Sequence, residues 1–142
     1  MNDKVLSFYI NDSFFGINIT LVREINRNVE YTPVPDAKPY IVGLFNMRGQ
    51  VVTLFNIAEL MGLQEGEELS RNTCIILKAP ANDPNQIGFL IDKPGDVIDL
   101  DKEEWELPPA NVVGLEGEYI NRVVKLKDKL LIIIEPGQIF KA

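Results

Sequence analysis

Side chains able to carry acid–base or metal chemistry fall in few places along this chain of 142 residues. The densest is a run of carboxylates: Asp92, Asp96, Asp99, Asp101, Glu103 and Glu104. Carboxylates can pair for acid and base work, but these spacings lack the alternating oxygen ligands of a calcium loop and suit a solvated acidic loop. The chain has no histidine, so the usual general base and the commonest transition-metal ligand are missing. Its one cysteine, Cys74, lies in Thr-Cys-Ile-Ile-Leu. Without a second thiol or a histidine it builds neither an internal disulfide, a zinc site nor an activated nucleophile, and it is expected to pack as a small hydrophobe. Gly114-Leu-Glu-Gly117 has no lysine after it and no strand-to-helix setting, so it reads as a turn and not as a phosphate cradle. A binding module is the better expectation.

Arg48 has two readings. The bland reading is a charge kept in water on a hairpin tip; the functional one is a planar five-donor fork offered to carboxylates or backbone carbonyls. The elements that position it are legible. Residues 40–47 and 50–55 read as two strands joined at Arg48-Gly49, where glycine supplies the positive φ of a tight hairpin. Asn56 then caps a short helix, Glu59 completes a capping box, and Gly62-Leu63 fits a left-handed stop.

Residues 4–10 and 14–19 flank Asn11-Asp12-Ser13, a turn composition, and predict an N-terminal hairpin with Phe15, Ile17 and Ile19 on its buried face. Leu21, Val22 and Ile25 are spaced as one side of a short helical turn capped by Thr20. The acidic stretch 64–72 reads as the join between two halves. Residues 74–77, apolar throughout, and 87–91 form a further hairpin with a loose tip. Asp101-Lys-Glu-Glu104 looks like a capping box opening one helical turn, with Trp105 packed into the core or a lobe edge. Pro108-Pro109 starts a loop running to about Gly117; residues 119–126 and 130–134 form a last hairpin, and Pro136 suits the start of a terminal helix. Many short strands with brief helices indicate β-barrels or a sandwich.

The length is that of one domain, and the 46% apolar content can fill its core. A net charge of −7 argues against nucleic acid and against adhesion to anionic lipid. No apolar run approaches the ~20 residues of a membrane span, and Met-Asn-Asp-Lys at the start lacks the apolar segment of a signal peptide, so a cytoplasmic protein without membrane insertion is expected.

The ordered pieces from Pro33 to Leu63 resemble the CheW family, adaptors that join chemoreceptors to the CheA histidine kinase. They are the proline-flanked lead-in, the aliphatic strand with Gly43, Asn46-Met47-Arg48-Gly49, Val51-Val52 and the short helix closed by Gly62-Leu63. Weaker agreement covers Phe15-Gly16-Ile17, Val22-Arg23-Glu24-Ile25, the strand 73–77, the strand 88–92 with Asp96-Val97-Ile98-Asp99-Leu100, and 130–134. Departures are Thr53 and Asn56 where the family usually has proline and aspartate, Pro94 in place of an aliphatic residue, and Arg122-Val123-Val124 before the last hairpin.

The resemblance implies a mainly β fold of two small five-stranded SH3-like β-barrel lobes side by side with short helices. Lobe 1 would cover about residues 13–70 and lobe 2 about 73–134, with the strand 4–10 belonging to either and a C-terminal helix at 136–142. It implies a non-enzymatic cytoplasmic adaptor without cofactor or metal, recruited to chemoreceptor arrays. The partners would be the regulatory domain of a CheA-type histidine kinase and the cytoplasmic tip of methyl-accepting chemoreceptors. Val22, Ile25, Asn46, Arg48 and Gly49 would face the receptor, and Tyr40, Ile41, Val42, Gly43 and Leu44 the kinase. Val22 and Ile25 also have a plain core reading. A Glu24–Arg48 pair would brace the short helix against the hairpin. The rivals are an adaptor of another chemosensory-like pathway, such as pilus motility, and a small β-barrel enzyme or ligand carrier using the acidic run.

Overall fold

The computed structural model describes residues 4–11, 13–60, 73–78, 86–100, 105–106, 120–126 and 128–137. Short β-rich segments interrupted by turn formers become eleven strands among these residues. β1 (Lys4–Ile10) and β2 (Ser13–Asn18) form the expected N-terminal hairpin, turned at Asn11 with φ 55°. β8 (Lys93–Asp99) pairs with the other edge of β1. With both edges paired and both faces packed, β1 buries Val5, Leu6, Phe8 and Ile10, and its one buried polar side chain, Ser7, donates to the Asp96 carbonyl at 2.6 Å. β9 (Trp105–Glu106), β10 (Ile120–Lys125) and β11 (Leu130–Ile134) complete a sheet ordered β8-β1-β2-β11-β10-β9. β10 and β11 are the expected last hairpin; Pro136 and Gly137 have helical backbone, and the remainder of the expected terminal helix lies outside the described residues.

The second sheet runs β3-β6-β7-β5-β4. It contains β3 (Val22–Asn26), β4 (Ile41–Met47), β5 (Gln50–Phe55), β6 (Thr73–Leu77) and β7 (Gln86–Ile91). The helix α1 (Ile57–Leu60) follows β5. The chain is therefore mainly β in two lobes. Among the described residues neither sheet closes into a barrel through a continuous backbone ladder.

The division between lobes differs from the sequence reading. A terminal lobe takes Met1–Thr20 with Lys93–Ala142, and a central lobe takes Leu21–Asp92. The chain changes lobe at 20/21 and 92/93, not at 64–72. The cause is a parallel pairing in each sheet between strands far apart in sequence, β2 with β11 (Phe15↔Ile132) and β5 with β7 (Thr53↔Ile87). These assign residues 13–18 and 4–10 to the C-terminal strands, and Thr73–Leu77 and Gln86–Ile91 to the central ones. Each lobe has its own apolar core: Val5, Phe14, Leu100, Val124, Leu131 and Ile133 in the terminal lobe; Val29, Met47, Val52, Leu54, Cys74, Ile76 and Leu90 in the central one. Full burial of one such aliphatic side chain is worth roughly 1.5–3 kcal/mol.

The expected helical turn over Leu21, Val22 and Ile25 is also corrected. A 3₁₀ turn, Ile19–Leu21, precedes β3, and Asn18, not Thr20, serves it: its Oδ1 accepts from the Thr20 amide at 3.0 Å and the Thr20 hydroxyl at 2.8 Å. From Val22 onward the β-branched residues pair with β6, Val22 opposite Leu77 and Ile25 opposite Ile75, where a pleated surface suits their branching. The helix stop at 62–63, the connection 64–72, the capping box at 101–104 and the loop 108–117 lie outside the described residues; Trp105 lies in β9. Among the described residues, no helix is long and apolar enough to cross a membrane.

Candidate protein-binding site on the central hairpin

β4 and β5 pair with Met47 opposite Gln50, which leaves a loop of Arg48 and Gly49 alone. Both have positive φ, 51° and 84°, the signature of a type I′ turn whose twist matches the flanking strands. A β-carbon on Gly49 would meet nothing within 4 Å, so the backbone conformation, not space, calls for glycine there. The Asn46 Oδ1 accepts from the Gly49 amide at 3.1 Å. Asn46 thus holds the turn shut.

At the base of the hairpin, Asn56 caps α1: its Oδ1 accepts from the Glu59 amide at 3.2 Å and its carbonyl from the Leu60 amide at 3.1 Å. The Asn56 amide donates to the Tyr40 carbonyl at 2.7 Å, which ties the start of the helix to the start of β4.

The tip reaches across the lobe. Arg48 Nη2 donates to Glu24 Oε1 in an ion pair. Glu24 lies in β3, at the opposite end of the sheet order from β4, so the sheet curls until its far edge meets its own hairpin tip. The partner of the hairpin is a strand, not the short helix expected. Beside it Arg23 Nη1 donates to Gln50 Oε1 at 3.1 Å and Gln86 Oε1 at 2.8 Å. Sequence reading assigned Arg23 no role, because both acceptors are remote in sequence and are uncharged. Among the residues expected to face a receptor, Asn46, Arg48 and Gly49 share the turn and are exposed, whereas Val22 and Ile25 are half-buried in β3.

The residues expected to face a kinase do not form one surface. Tyr40 stacks on Phe55, ring centroids 5.6 Å apart, and Ile41 is half-buried. Gly43 is buried against the Thr32 backbone. A register shift between Ile41 and Gly43 breaks the alternation of β4, so that Val42 and Phe45 both pack against the central core. Leu44 alone of the five presents large apolar surface, at 40% exposure. It shares its face with a residue sequence reading passed over: Val51, opposite Asn46 on β5 and 57% exposed. Tyr31 and Val34, just before β4, are further exposed apolar residues. The alternation of Val51 and Thr53 against inward Val52 and Leu54 was the signal that could have found Val51.

Elsewhere in the described residues, no group of three or more His, Cys, Asp or Glu side chains converges as a metal site would need. Asp92 is half-buried, Asp96 and Asp99 are exposed, and Asp101, Glu103 and Glu104 lie outside the described residues. Cys74 is fully buried. Burial pushes its thiol from 9.0 up to about 12, the nearby Glu24 charge adding to the rise and a hydrogen bond with the Asn26 backbone opposing it. The folded thiol stays protonated while the unfolded one ionises above 9.0. Its contribution to stability is therefore complete below that pH and declines as pH rises from there towards 12. Native chain and Cys74→Ala compared by denaturant unfolding should show the native chain losing more stability above pH 9.0. Parallel pH profiles would place the thiol in water.

The CheW-like domain family matches residues 4–142. The chain is 29% identical to the Chemotaxis protein CheW of Bacillus subtilis (strain 168), over 96% of this chain and 86% of that protein. It is 27% identical to the Chemotaxis protein CheW of Treponema pallidum (strain Nichols), over 98% of this chain and 82% of that protein. The crystal structure of the scaffolding protein TtCheW from Thermoanaerobacter tengcongensis shares the fold, with a TM-score of 0.79 and 24% identity over 95% of this chain and 90% of that one.

Proposed function

Since the chain belongs to the CheW-like domain family, we propose that it is a non-enzymatic adaptor of chemotaxis signalling. It binds the regulatory domain of a CheA-type histidine kinase with one surface and the cytoplasmic tips of methyl-accepting chemoreceptors with another. The adaptor acts in the cytoplasm, at receptor arrays. Its mechanism is geometric: holding kinase and receptor together raises their effective concentration and lets receptor conformation bias the kinase equilibrium.

The observation that carries this reading is the outward face of the β4–β5 hairpin, where Leu44 and Val51 expose apolar surface while the opposite face builds the core. Apolar side chains presented on a hydrogen-bonded, well-anchored element suit docking of another protein. The kinase domain takes this face, around Leu44 and Val51 with Tyr40 and Ile41 at its edge. The receptor tip takes the turn and β3, Arg48 and Gly49 with Val22 and Ile25, while Asn46, opposite Val51 and bonded to the Gly49 amide, stands at the border of the two surfaces. The relatives' names, chemotaxis proteins and a scaffolding protein, agree with an assembly role.

Leu44→Asp tests this directly. Calorimetric titration should show affinity for a CheA-type regulatory domain falling by about tenfold or more, with an unfolding midpoint within about 2 °C of the native one and receptor-fragment binding unchanged. Unaltered kinase binding by Leu44→Asp and Val51→Asp would remove the hairpin face from the interface. Val42→Asp is unsuitable, because it buries a charge against the core.

A further inference from the structure

We propose that Arg23 is a positioning residue which sets the hairpin tip for partner recognition, an inference that rests on the adaptor reading above. Successive side chains of a regular strand point to opposite faces, so neighbours such as Arg23 and Glu24 should not both reach the same tip. The register of β3 on β6 shifts between Val22 and Glu24, and a bulge of this kind re-aims side chains. Both residues consequently reach the β4–β5 turn. Glu24 takes Arg48, while Arg23 takes Gln50, the first residue after the turn, and Gln86 at the start of β7. The two contacts run in opposite senses: one arginine leaves the tip for β3, the other leaves β3 for the tip.

They differ in what a partner can undo. A carboxylate arriving on the partner competes with Glu24 for Arg48, since both offer the same chemistry. The Arg23 contacts go through Nη1 alone to neutral amides fixed on two neighbouring strands, so an approaching anion can take the other guanidinium donors without breaking them. Arg23 therefore keeps the tip in place while Arg48 changes partner. The planar fork suits this role, because one nitrogen, Nη1, serves both glutamines.

The test compares the native chain with Arg23→Ala and with Gln50→Ala/Gln86→Ala, reading solvent exchange of the Gly49 amide by NMR and affinity for a receptor cytoplasmic hairpin fragment by calorimetry. Both variants should speed Gly49 exchange severalfold and weaken fragment binding severalfold, and combining them should add little further, as for groups acting as one unit. Arg23→Lys, which keeps a donor, should recover part of both. Unchanged Gly49 exchange in Arg23→Ala overturns the proposal; if affinity still falls, Arg23 is a direct partner contact. Should the native chain bind no receptor fragment, the adaptor reading fails at that surface, and the exchange comparison alone decides whether Arg23 positions the tip.

Discussion

Replacing Arg48 by asparagine is expected to leave the protein at least as stable as the native chain and to weaken receptor-tip binding by about tenfold or more. Arg48 stands at φ 51°, in the left-handed region, which costs a side chain of this kind roughly 1–2 kcal/mol. Its ion pair with Glu24 is made by a guanidinium side chain 67% exposed, and exposed pairs contribute about 0–1 kcal/mol. The strain matches or exceeds the return from the pair. Asparagine, favoured at this turn position, removes both. A residue kept in a conformation it disfavours, for a contact too weak to offset the strain, points to a use outside the fold. Thermal unfolding and titration of the one variant separate the cases. A midpoint lowered by more than about 5 °C with affinity unchanged would assign Arg48 to bracing alone.

The second large effect belongs to Gly43. Gly43→Ala is expected to lower stability by about 2–4 kcal/mol, a fall in the unfolding midpoint of roughly 5–15 °C. A β-carbon at this position would stand 2.5 Å from the Thr32 carbonyl oxygen and 2.9 Å from its carbon. Backbone cannot yield as the end of a flexible side chain can. Thr32 and Leu44 exchange both backbone hydrogen bonds at 2.8 Å, and moving the 31–32 segment aside disrupts them. The expected loss combines overpacking, about 1–3 kcal/mol, with about 0.5–1.5 kcal/mol for each bond weakened. Equilibrium unfolding in urea measures it. A change under about 0.5 kcal/mol would mean that this segment adjusts freely around β4.

What could be read from the residues was what depends on near neighbours. Arg48-Gly49 between alternating strands identified the hairpin and its turn, and Asn56 three residues before Glu59 identified the cap. The lobe boundaries were hidden because they rest on the parallel pairings of Phe15 with Ile132 and Thr53 with Ile87, which leave no local pattern. Leu21, Val22 and Ile25 satisfy a helical spacing, and it took the partner strand β6 to make Val22–Asn26 extended. Two bulges account for most of the rest. One turns Val42 from the expected partner surface into the core, and the other brings Arg23 to the tip. A bulge shifts the parity of every residue beyond it, and nothing in the run Tyr40-Ile41-Val42-Gly43 marks it. Gly43, expected at the kinase surface, has a packing reason of its own.

An adaptor of this kind must hold two partners at once. The direct measurement is calorimetric titration of a receptor cytoplasmic hairpin fragment into the preformed complex of this protein with a CheA-type regulatory domain. Saturable one-to-one binding is expected, with an affinity within about threefold of that for the free protein, as separate surfaces require. Displacement of the kinase domain by the fragment, or absence of binding by a folded chain to either partner, would contradict it.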